Sequence, residues 1–523
     1  MGGTQARAPR ARFGFVAAVL AVSVALSRVL GAVREMVLAH VLGAGAEADA
    51  YKAAFLLPDL LNYFLAGGAL SIAFMPFYTR LWNRDGDAAA DRFLAVVFGT
   101  TGALAVAVTA LLWLGAYPLV WAVFPKFSPE QAALTAHLTR ILLPAQIFFI
   151  TGGVLRGALM ARGHFISQSL APVVYNLAII ACGVAFGSRI GAEGFAWGAL
   201  LGAIAGAFGT AWTEIRGVPA IHLSARIDLR DPALRGYLAA LLPLVAGVTL
   251  GTADDWFGRW FGGLLGAGAI ASLGYARQLM LLPVGIIGQS IATAALPTLA
   301  EHASEGRDLE LHETLLGALR AGVSLACLAA AASLVFASPL VMLLYQGGRF
   351  TAADSERVTL LFQVYALAVP GWIAQQIAVR GFYARGDTWR PMWIGTAVAI
   401  AAAAIYFALG RWYGVVGLAI AGVAAMNTNA VATLAFLRVW YGGPSLGALA
   451  RTSARALAIA AVAAAFAAAT PMLASGRWGM LLHLALGGAV FGVVAITGIQ
   501  VAGDASQREA LRGIARRLAR RGR

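Results

Sequence analysis

The chain has 523 residues, of which 60% are hydrophobic and 12% charged, and its mean hydropathy is +0.77. These values exclude an ordinary soluble domain and favour a polytopic membrane protein. The net charge of +15 does not indicate nucleic-acid binding, because Lys and Arg are concentrated in alternate loops, as the positive-inside rule expects of cytoplasmic loops.

Apolar stretches long enough to cross a bilayer follow one another along the whole chain. They predict an all-α polytopic membrane protein with about fourteen transmembrane helices. The distribution of Lys and Arg places the N-terminus in the cytoplasm, and an even number of crossings returns the C-terminus to the same side. The first stretch lacks the small-residue cleavage site of a signal peptide. The predicted segments are 13–42, 46–80, 91–124, 130–160, 166–187, 193–215, 233–261, 267–300, 311–345, 354–384, 389–409, 413–440, 447–474 and 477–502.

The first two predicted helices contain charged and polar side chains. Helix 1 carries Arg28 and Arg34, and helix 2 carries Asp49, Lys52 and Asn62. A charged side chain at the bilayer centre costs about 2.5–3.5 kcal/mol unless it faces water or a partner. We therefore expect these residues to line a hydrated cavity. The alternative is that they form structural ion pairs or snorkel to the interface, and the i,i+3 spacing of Asp49 and Lys52 suits a pair.

The geometry of both helices sets conditions on this cavity. Arg28 and Arg34 are six positions apart and about 120° off a common face, so both reach the cavity only if the helix bends at Gly31. In helix 2, Pro58 removes a backbone donor and Gly67-Gly68 loosens the hydrogen-bond ladder. Helix 2 is therefore predicted to be discontinuous, with polar backbone exposed to the cavity.

Two halves of the chain repeat one another. Ala161-Arg162-Gly163 is followed downstream by Gly194-Phe195-Ala196. Ala384-Arg385-Gly386 is followed, at the same spacing, by Gly417-Leu418-Ala419. Repeats of this kind in membrane proteins usually build transporters, with the substrate site between the halves. The predicted domains are an N-lobe of helices 1–6 (13–215), a C-lobe of helices 7–12 (233–440), helices 13–14 (447–502) and a basic cytoplasmic tail (503–523) that suits anionic headgroups.

The C-lobe contributes one more intramembrane cation, Arg277 of helix 8. Asp254 and Asp255, near the external end of helix 7, are interpreted as an interfacial carboxylate pair, because no third ligand or histidine is nearby. Cys182 and Cys327 lie inside predicted helices. We therefore predict no metal site and no cofactor, although a coupling ion or the membrane potential is compatible with the sequence. No nucleophile–base arrangement and no Gly-rich nucleotide loop is present, which favours a transporter over an enzyme.

Clustered cations in a cavity attract an anion with several oxygens, and the planar fork of arginine matches phosphate geometry. The residues alone thus indicate an anionic lipid or a phosphorylated amphiphile as the substrate.

Several segments resemble the MurJ/MviN family of lipid II flippases, which belongs to the multidrug/oligosaccharidyl-lipid/polysaccharide exporter superfamily. The resemblance extends from about residue 13 to 440 and is weaker in the last two helices. The segments are SRVLGAVREMVLAHVLGAGAEADAYKAAFLLPDLL (Ser27 to Leu61), GALMARGHFISQSLAPVVYNLA (Gly157 to Ala178), LYQGGRFTAAD (Leu344 to Asp354) and GFYARGDTWRP (Gly381 to Pro391).

This resemblance implies two six-helix lobes and alternating-access transport of lipid II, an undecaprenyl-pyrophosphate-linked peptidoglycan precursor, from the inner to the outer leaflet of the bacterial inner membrane. It places Arg28 and Arg34 at the positions of cavity arginines and Asp49 at the acidic residue that opens helix 2. It also places a lipid-tail groove at 447–502. Membrane lipids and cell-wall synthesis enzymes are the partners it suggests.

Two departures from the family pattern stand out. Asn62 occupies a position that is often basic in the family, and Gly67 one that is often acidic. In helix 8, Tyr275-Ala276-Arg277-Gln278-Leu279 displaces the family's arginine by one position, and Leu281 stands where an acid is expected. The predicted substrate-binding set is Arg28, Arg34, Asp49, Lys52, Asn62 and Arg277.

Three other functions remain open at this stage. The departures in helix 8 are compatible with a flippase for another polyprenyl-linked oligosaccharide, such as an O-antigen or exopolysaccharide unit. A cation-coupled multidrug exporter is a further alternative, although its site should favour acids over clustered arginines. A scaffold that recruits envelope enzymes without transport is the fourth reading.

Overall fold

The computed structural model describes residues 10–65, 69–219, 221–246, 250–471, 476–509 and 512. Within these ranges the chain is almost entirely helical and contains no β-strand. The predicted all-α class is thereby confirmed.

Two units are distinguished by their internal contacts, Met1–Ala246 with Gly348–Phe350 (unit 1) and Gly247–Gly347 with Thr351–Arg523 (unit 2). The helices of unit 1 are α1 (Arg10–Leu42), α2 (Ala46–Ala54), α3 (Leu56–Leu65), α4 (Ala69–Asp85), α5 (Asp87–Leu114), α6 (Ala116–Val123), α7 (Pro129–Leu142), α8 (Ala145–Ala161), α9 (Ile166–Ile190), α10 (Ala192–Gly202), a π-helical segment (Ala203–Gly209), α11 (Thr210–Arg216) and α12 (Pro232–Ala246).

The helices of unit 2 are α13 (Leu250–Gly262), α14 (Ala269–Pro283), a π-helical segment (Val284–Gly288), α15 (Gln289–Ser304), α16 (Asp308–Tyr345), α17 (Ala352–Ala366), α18 (Val369–Tyr383), α19 (Trp389–Tyr441), α20 (Leu446–Ala468) and α21 (Gly476–Ala502). The two units divide inside predicted helix 7 (233–261). The predicted lobes divide earlier, between 215 and 233, and their bounds stay a prediction.

Nine helices in the described part of the chain are long and apolar enough to cross a membrane. A tenth span results if α17 and α18, which are bent by 43° at a short break, form one crossing. Predicted span 46–80 is divided at Phe55, between α2 and α3, and predicted span 91–124 is divided at Gly115, between α5 and α6.

The repeat seen in the sequence reappears as backbone geometry. Gly191, between α9 and α10, has φ 57° and ψ −131°. Gly414, which breaks the long helix α19, has φ 57° and ψ −136°. Positive φ strongly favours glycine, so the same sharp turn is encoded by the same residue type in each half of the chain. The break at Gly414 lies beside the boundary predicted between 389–409 and 413–440.

Helix 2 is discontinuous, but the break precedes the residues that predicted it. The helical path is interrupted at Phe55, between α2 and α3. Pro58 has no N–H to donate to the carbonyl of Ala54, one helical turn earlier. The Oγ1 hydroxyl of Thr139 donates to that carbonyl at 3.3 Å, so the freed acceptor is satisfied by α7. Gly67-Gly68 lies outside the described residues.

An aromatic cluster forms part of the core of unit 1. Phe74 stacks on Phe93 with ring centroids 5.2 Å apart. Tyr237 of α12 packs edge-on against Phe93 at 5.9 Å. These rings are fully buried, and their burial explains why α12 belongs to unit 1 rather than to the unit that contains the rest of predicted helix 7.

Candidate functional site

Two of the three predicted cations of helices 1 and 2 meet at one carboxylate in unit 1. Glu35 Oε1 accepts a hydrogen bond from Arg34 Nη2 at 2.9 Å, and Glu35 Oε2 lies 2.8 Å from Lys52 Nζ. The Glu35 side chain is 9% exposed, against 26% for Arg34. Two cations therefore share one buried carboxylate.

Arg34 is also held from a third helix. Its Nη1 donates to Asn176 Oδ1 of α9 at 3.2 Å, and the Asn176 side-chain amide in turn donates to the carbonyl of Pro172 at 2.9 Å. The guanidinium is thus fixed by one charged and one neutral acceptor. We call Arg34, Glu35, Lys52 and Asn176 the Arg34 cluster.

The remaining predicted residues of unit 1, Arg28, Asp49 and Asn62, lie on α1, α2 and α3 respectively. Arg28 is half-buried on α1, which continues through Gly31 without an interruption. Asp49 is 2% exposed in the first turn of α2. Asn62 of α3 donates from Nδ2 to Gln146 Oε1 of α8 at 2.8 Å, and this contact places a neutral hydrogen bond where the family pattern often has a charge.

Arg277 of unit 2 has its own carboxylates. Its Nε lies 2.8 Å from Asp254 Oδ2 and its Nη1 lies 3.2 Å from Asp255 Oδ1. Its Nη2 donates to the carbonyl of Gly251 at 2.9 Å. All three guanidinium nitrogens are therefore engaged, and the Arg277 side chain is only 16% exposed.

The two carboxylates around Arg277 have further partners. Asp255 Oδ2 pairs with Arg259 Nη2 at 2.6 Å, and the hydroxyl of Tyr406 donates to Asp254 Oδ1. Two acids and two arginines therefore meet in this group. The interpretation of Asp254 and Asp255 as an interfacial pair missed their role as counter-ions, because Arg277 lies on another helix and no local spacing reports that contact.

A pair of equivalent clamps marks the repeated Ala-Arg-Gly motif. Arg162 Nη1 lies 2.7 Å from Asp87 Oδ1, and its guanidinium carbon is 4.5 Å from the centre of the Trp82 ring. Arg385 Nη2 lies 2.6 Å from Asp308 Oδ1, with the Tyr441 ring at 4.8 Å. Each unit thus ties the end of one helix to the start of another through an arginine, a carboxylate and an aromatic ring.

Unit 2 contains two apolar recesses beside its last helices. A groove of about 470 Å³ is lined by α20 and α21, including Ile459, Val462, Phe466 and Val494. A second recess of about 790 Å³ is lined by α16, α18, α19 and α20. The first of them lies within the segment 447–502 for which a lipid-tail groove is predicted.

Neutral polar residues were the part of the site that the sequence did not reveal. Gln146 and Asn176 are buried in apolar helices, and their only sequence signal is an amide side chain inside a predicted span. Within the described ranges, no group of three or more His, Cys, Asp or Glu side chains is placed to hold a metal ion.

Comparison with known proteins adds the family. The sequence model described as lipid II flippase MurJ matches residues 38–487. The chain belongs to the lipid II flippase MurJ family. Membership identifies it as a multi-pass transporter of the bacterial inner membrane rather than an enzyme, and confirms the resemblance inferred from the motifs.

Individual relatives agree with this family. A lipid II flippase MurJ of Burkholderia cenocepacia is 29% identical over 384 residues, 72% of this chain and 74% of the relative. A probable lipid II flippase MurJ of Rhizobium meliloti is 29% identical over 457 residues, 86% of this chain and 85% of the relative. One from Haemophilus influenzae is 30% identical over 428 residues, 77% and 82% of the respective chains.

Solved structures of transporters share the fold of this chain. A lipid II flippase MurJ in an inward closed conformation matches with a TM-score of 0.77 at 20% identity, covering 92% of this chain and 98% of that one. An inward-facing multidrug resistance transporter of the MATE family, in the MOP superfamily, matches with a TM-score of 0.68 at 15% identity. The match covers 83% of this chain and 99% of that one. At these identities the likeness establishes the fold alone.

Proposed function

We propose that the chain translocates lipid II, a peptidoglycan precursor linked to undecaprenyl pyrophosphate, from the inner to the outer leaflet of the inner membrane. The observation that carries this proposal is the family match over residues 38–487. Arg34 and Lys52, which meet at Glu35 in the Arg34 cluster, supply cationic donors suited to a pyrophosphate.

The pyrophosphate is bound first by the helix 1 and 2 cations. Arg34 and Lys52 share Glu35, so a phosphate oxygen that approaches this carboxylate meets charged donors from two helices. Arg28 adds a third positive charge on α1. Asp49 and Asn62 contribute by holding the neighbouring cations and polar side chains in place.

Arg277 is already occupied by acceptors of its own unit. Its three nitrogens are engaged, so a phosphate must displace Asp254, Asp255 or the Gly251 carbonyl to reach it. A substrate-binding role for Arg277 therefore requires the group to rearrange during transport. That role stays a prediction.

The polyprenyl tail remains in lipid during transport. The apolar groove along α20 and α21 is suited to an isoprenoid chain, because its walls offer alkyl and aromatic surface and almost no hydrogen-bonding group. The head group crosses in water while the tail follows in the hydrocarbon core, which avoids moving the sugar and peptide through lipid.

Alternating access moves the head group. The predicted lobes, 13–215 and 233–440, rock so that the site opens first to the cytoplasm and then to the outside. Both termini are cytoplasmic in this scheme. The membrane potential acts on uncompensated cavity charge at about 2.3 kcal/mol per charge per 100 mV, and so can reset the cycle, as can a coupling ion that neutralises a carboxylate. Cell-wall enzymes that consume lipid II are the protein partners it suggests.

The test is complementation of a bacterium whose own lipid II flippase is depleted, together with an assay of lipid II on the outer leaflet. The wild-type chain should restore growth and outer-leaflet lipid II. Arg216→Ala removes an arginine at the end of α11, where the guanidinium stacks on Trp212. It is the charge-matched control for Arg34→Ala and should restore both growth and outer-leaflet lipid II.

The alternatives give different outcomes in the same assay. Rescue of O-antigen or exopolysaccharide export without rescue of lipid II export would select another polyprenyl-linked oligosaccharide as the substrate. Drug-stimulated proton flux would select a multidrug exporter. Retained binding of envelope enzymes after removal of Arg28 and Arg34, with no transport by the wild type, would select a scaffold.

A further inference from the structure

Unit 1 holds another intramembrane arginine, Arg156, which is not among the predicted site residues. It lies in α8, within the candidate membrane span Pro129–Ala161, and is half-buried. Its Nη1 donates to the backbone carbonyl of Ala207, in the π-helical segment Ala203–Gly209. A π-helical turn inside an α-helical span is uncommon, and such turns recur at functional sites.

The side chain of Arg156 is directed into the span. Side chains on a helix tilt toward its N-terminus, which for Arg156 means away from the end of α8 at Ala161. Gly153, one turn earlier, has Arg156 Nη2 about 4.0 Å from the place its Cβ would occupy. The guanidinium therefore lies over the turn at Gly153 and does not snorkel toward the nearer end of the helix.

A close contact between α8 and the π-helical segment keeps the Ala207 carbonyl within hydrogen-bond distance of Arg156. A Cβ on Gly152 would clash with the carbonyl oxygen of Ala207. Glycine at this position is therefore required for α8 to approach the π-helical segment so closely. The acceptor is a carbonyl, which orients the guanidinium of Arg156 but does not neutralise its charge.

No carboxylate of the described residues lies within ion-pair distance of Arg156. In this it differs from Arg34 and Arg277, each of which has an acid. An uncompensated guanidinium within a membrane span requires water or an anion beside it. Its partial exposure leaves room for either.

Arg156 shares a helix face with residues that adjoin the Arg34 cluster. Gln146, Phe149, Gly153 and Arg156 fall within an arc of about 80° at 100° per residue. Gln146 bonds to Asn62. Phe149 packs against the ring of Tyr175 at 5.3 Å, and Tyr175 directly precedes the Asn176 that holds Arg34.

We propose that Arg156 is a second anion-binding group on this face of unit 1, which receives a phosphate of the lipid-linked pyrophosphate. This inference rests on the proposed function, since it takes the same substrate. Gln146, which bonds to Asn62, and Arg156 are separated by about 15 Å along α8, so Arg156 offers a cationic position nearer the Ala161 end of the span.

The test measures binding of undecaprenyl pyrophosphate to the purified full-length chain by native mass spectrometry. Arg156→Gln should weaken binding about tenfold, the loss of one charge-assisted contact, and Arg156→Lys should fall between the variant and the wild type. Arg216→Gln, which removes the same charge from the neighbouring α11, should bind as the wild type does. Equal binding by wild type and Arg156→Gln would overturn the inference.

A second measurement uses the wild-type chain and does not depend on how the variants fold. Modification by an arginine-specific dicarbonyl is followed by peptide mass spectrometry, with and without ligand. Undecaprenyl pyrophosphate should protect Arg156 and leave Arg216 reactive. Equal protection by phosphatidylglycerol would assign Arg156 to bulk lipid and overturn the inference. If the wild type binds no undecaprenyl pyrophosphate at all, the proposed function itself fails, which separates the two failures.

Discussion

Lys52 of α2 and Glu35 of α1 form a 2.8 Å ion pair inside unit 1, and the same carboxylate also accepts from Arg34. The amine of Lys52 thus reaches across to α1. The pair within α2 that suits the i,i+3 spacing of Asp49 and Lys52 stays a prediction. One acid between two cations is a defined electrostatic arrangement, and it decides how substitutions should behave.

Arg34→Ala is expected to remove function without loss of folding, because Lys52 and Glu35 remain as a balanced pair. The variant should reach wild-type membrane levels and fail to complement flippase depletion. Arg277→Ala should instead lower the amount of folded protein, since Asp254 and Asp255 lose a shared cation, at a cost of about 3–5 kcal/mol. The measurements are growth rescue and the thermal midpoint in detergent. Growth of Arg34→Ala equal to wild type would contradict the site assignment.

Glu35→Gln should destabilise unit 1 more than Lys52→Met does. The first change removes the carboxylate that Arg34 and Lys52 share, at a cost of about 3 kcal/mol or more. The second leaves the Arg34–Glu35 pair intact and costs about 1.5 kcal/mol. The Glu35→Gln/Lys52→Met double variant should be more stable than Glu35→Gln alone. Additive losses in thermal unfolding would show that the charges are not coupled.

Arg162 should contribute more to the free energy of unfolding than its carboxylate partner Asp87 does. The Arg162 side chain is 5% exposed and packs on Trp82, whereas Asp87 is 57% exposed. Arg162→Ala is expected to cost about 2 kcal/mol from lost packing and cation–π contact, and Asp87→Ala less than about 1 kcal/mol. Arg385→Ala and Asp308→Ala should show the same order in unit 2, where Asp308 is 70% exposed. Thermal unfolding of the four variants checks the ranking.

The stability of the folded start of the C-terminal tail, around Asp504, should decrease at acid pH. Burial alone would raise the pKa of Asp504, but hydrogen bonds from the Thr452 hydroxyl and the Gln507 backbone, with the charge of Arg320, lower it below its ordinary 3.8. A lowered folded-state pKa stabilises above the ordinary value, so this contribution is present at neutral pH and is lost as pH falls below about 4.

Asp504→Asn should remove that pH dependence. The expected readout is proteolytic release of the tail, which for the wild type rises on acidification and for the variant is already raised at pH 7. Glu509→Gln, an exposed acid in the same segment, is the matched control and should titrate like the wild type. Identical pH profiles for wild type and Asp504→Asn would contradict the assignment.

Filling the groove along α20 and α21 should slow transport without disturbing the head-group site. Val462 lines the groove and is 51% exposed, so Val462→Trp narrows it without burying a charge. Ile400→Trp, at a 72% exposed position of α19 that does not line the groove, is the control. Outer-leaflet lipid II should fall for the first variant only. Equal outer-leaflet lipid II for both variants would contradict the placement of the polyprenyl tail in this groove.

The helical class, the repeat and the segment that holds the cations followed from the sequence. Hydropathy and charge placement are local properties, because each span must satisfy its own backbone in lipid. The predicted segment ends at 187 and 409 lie close to two turns of equal backbone geometry, at Gly191 and Gly414. The positive φ of these two glycines was shown only by the structure.

The charge partners were decided by tertiary structure. Glu35 is next to Arg34 in the chain, but Lys52 reaches it only after α2 folds back, and Arg277 of α14 meets Asp254 of α13, a different helix. Arg156 has a carbonyl rather than an acid beside it because a glycine lets two helices touch. Local patterns report how often a residue type recurs along one helix, whereas the free energy of a charge in the membrane depends on the neighbours that other helices bring within about 4 Å.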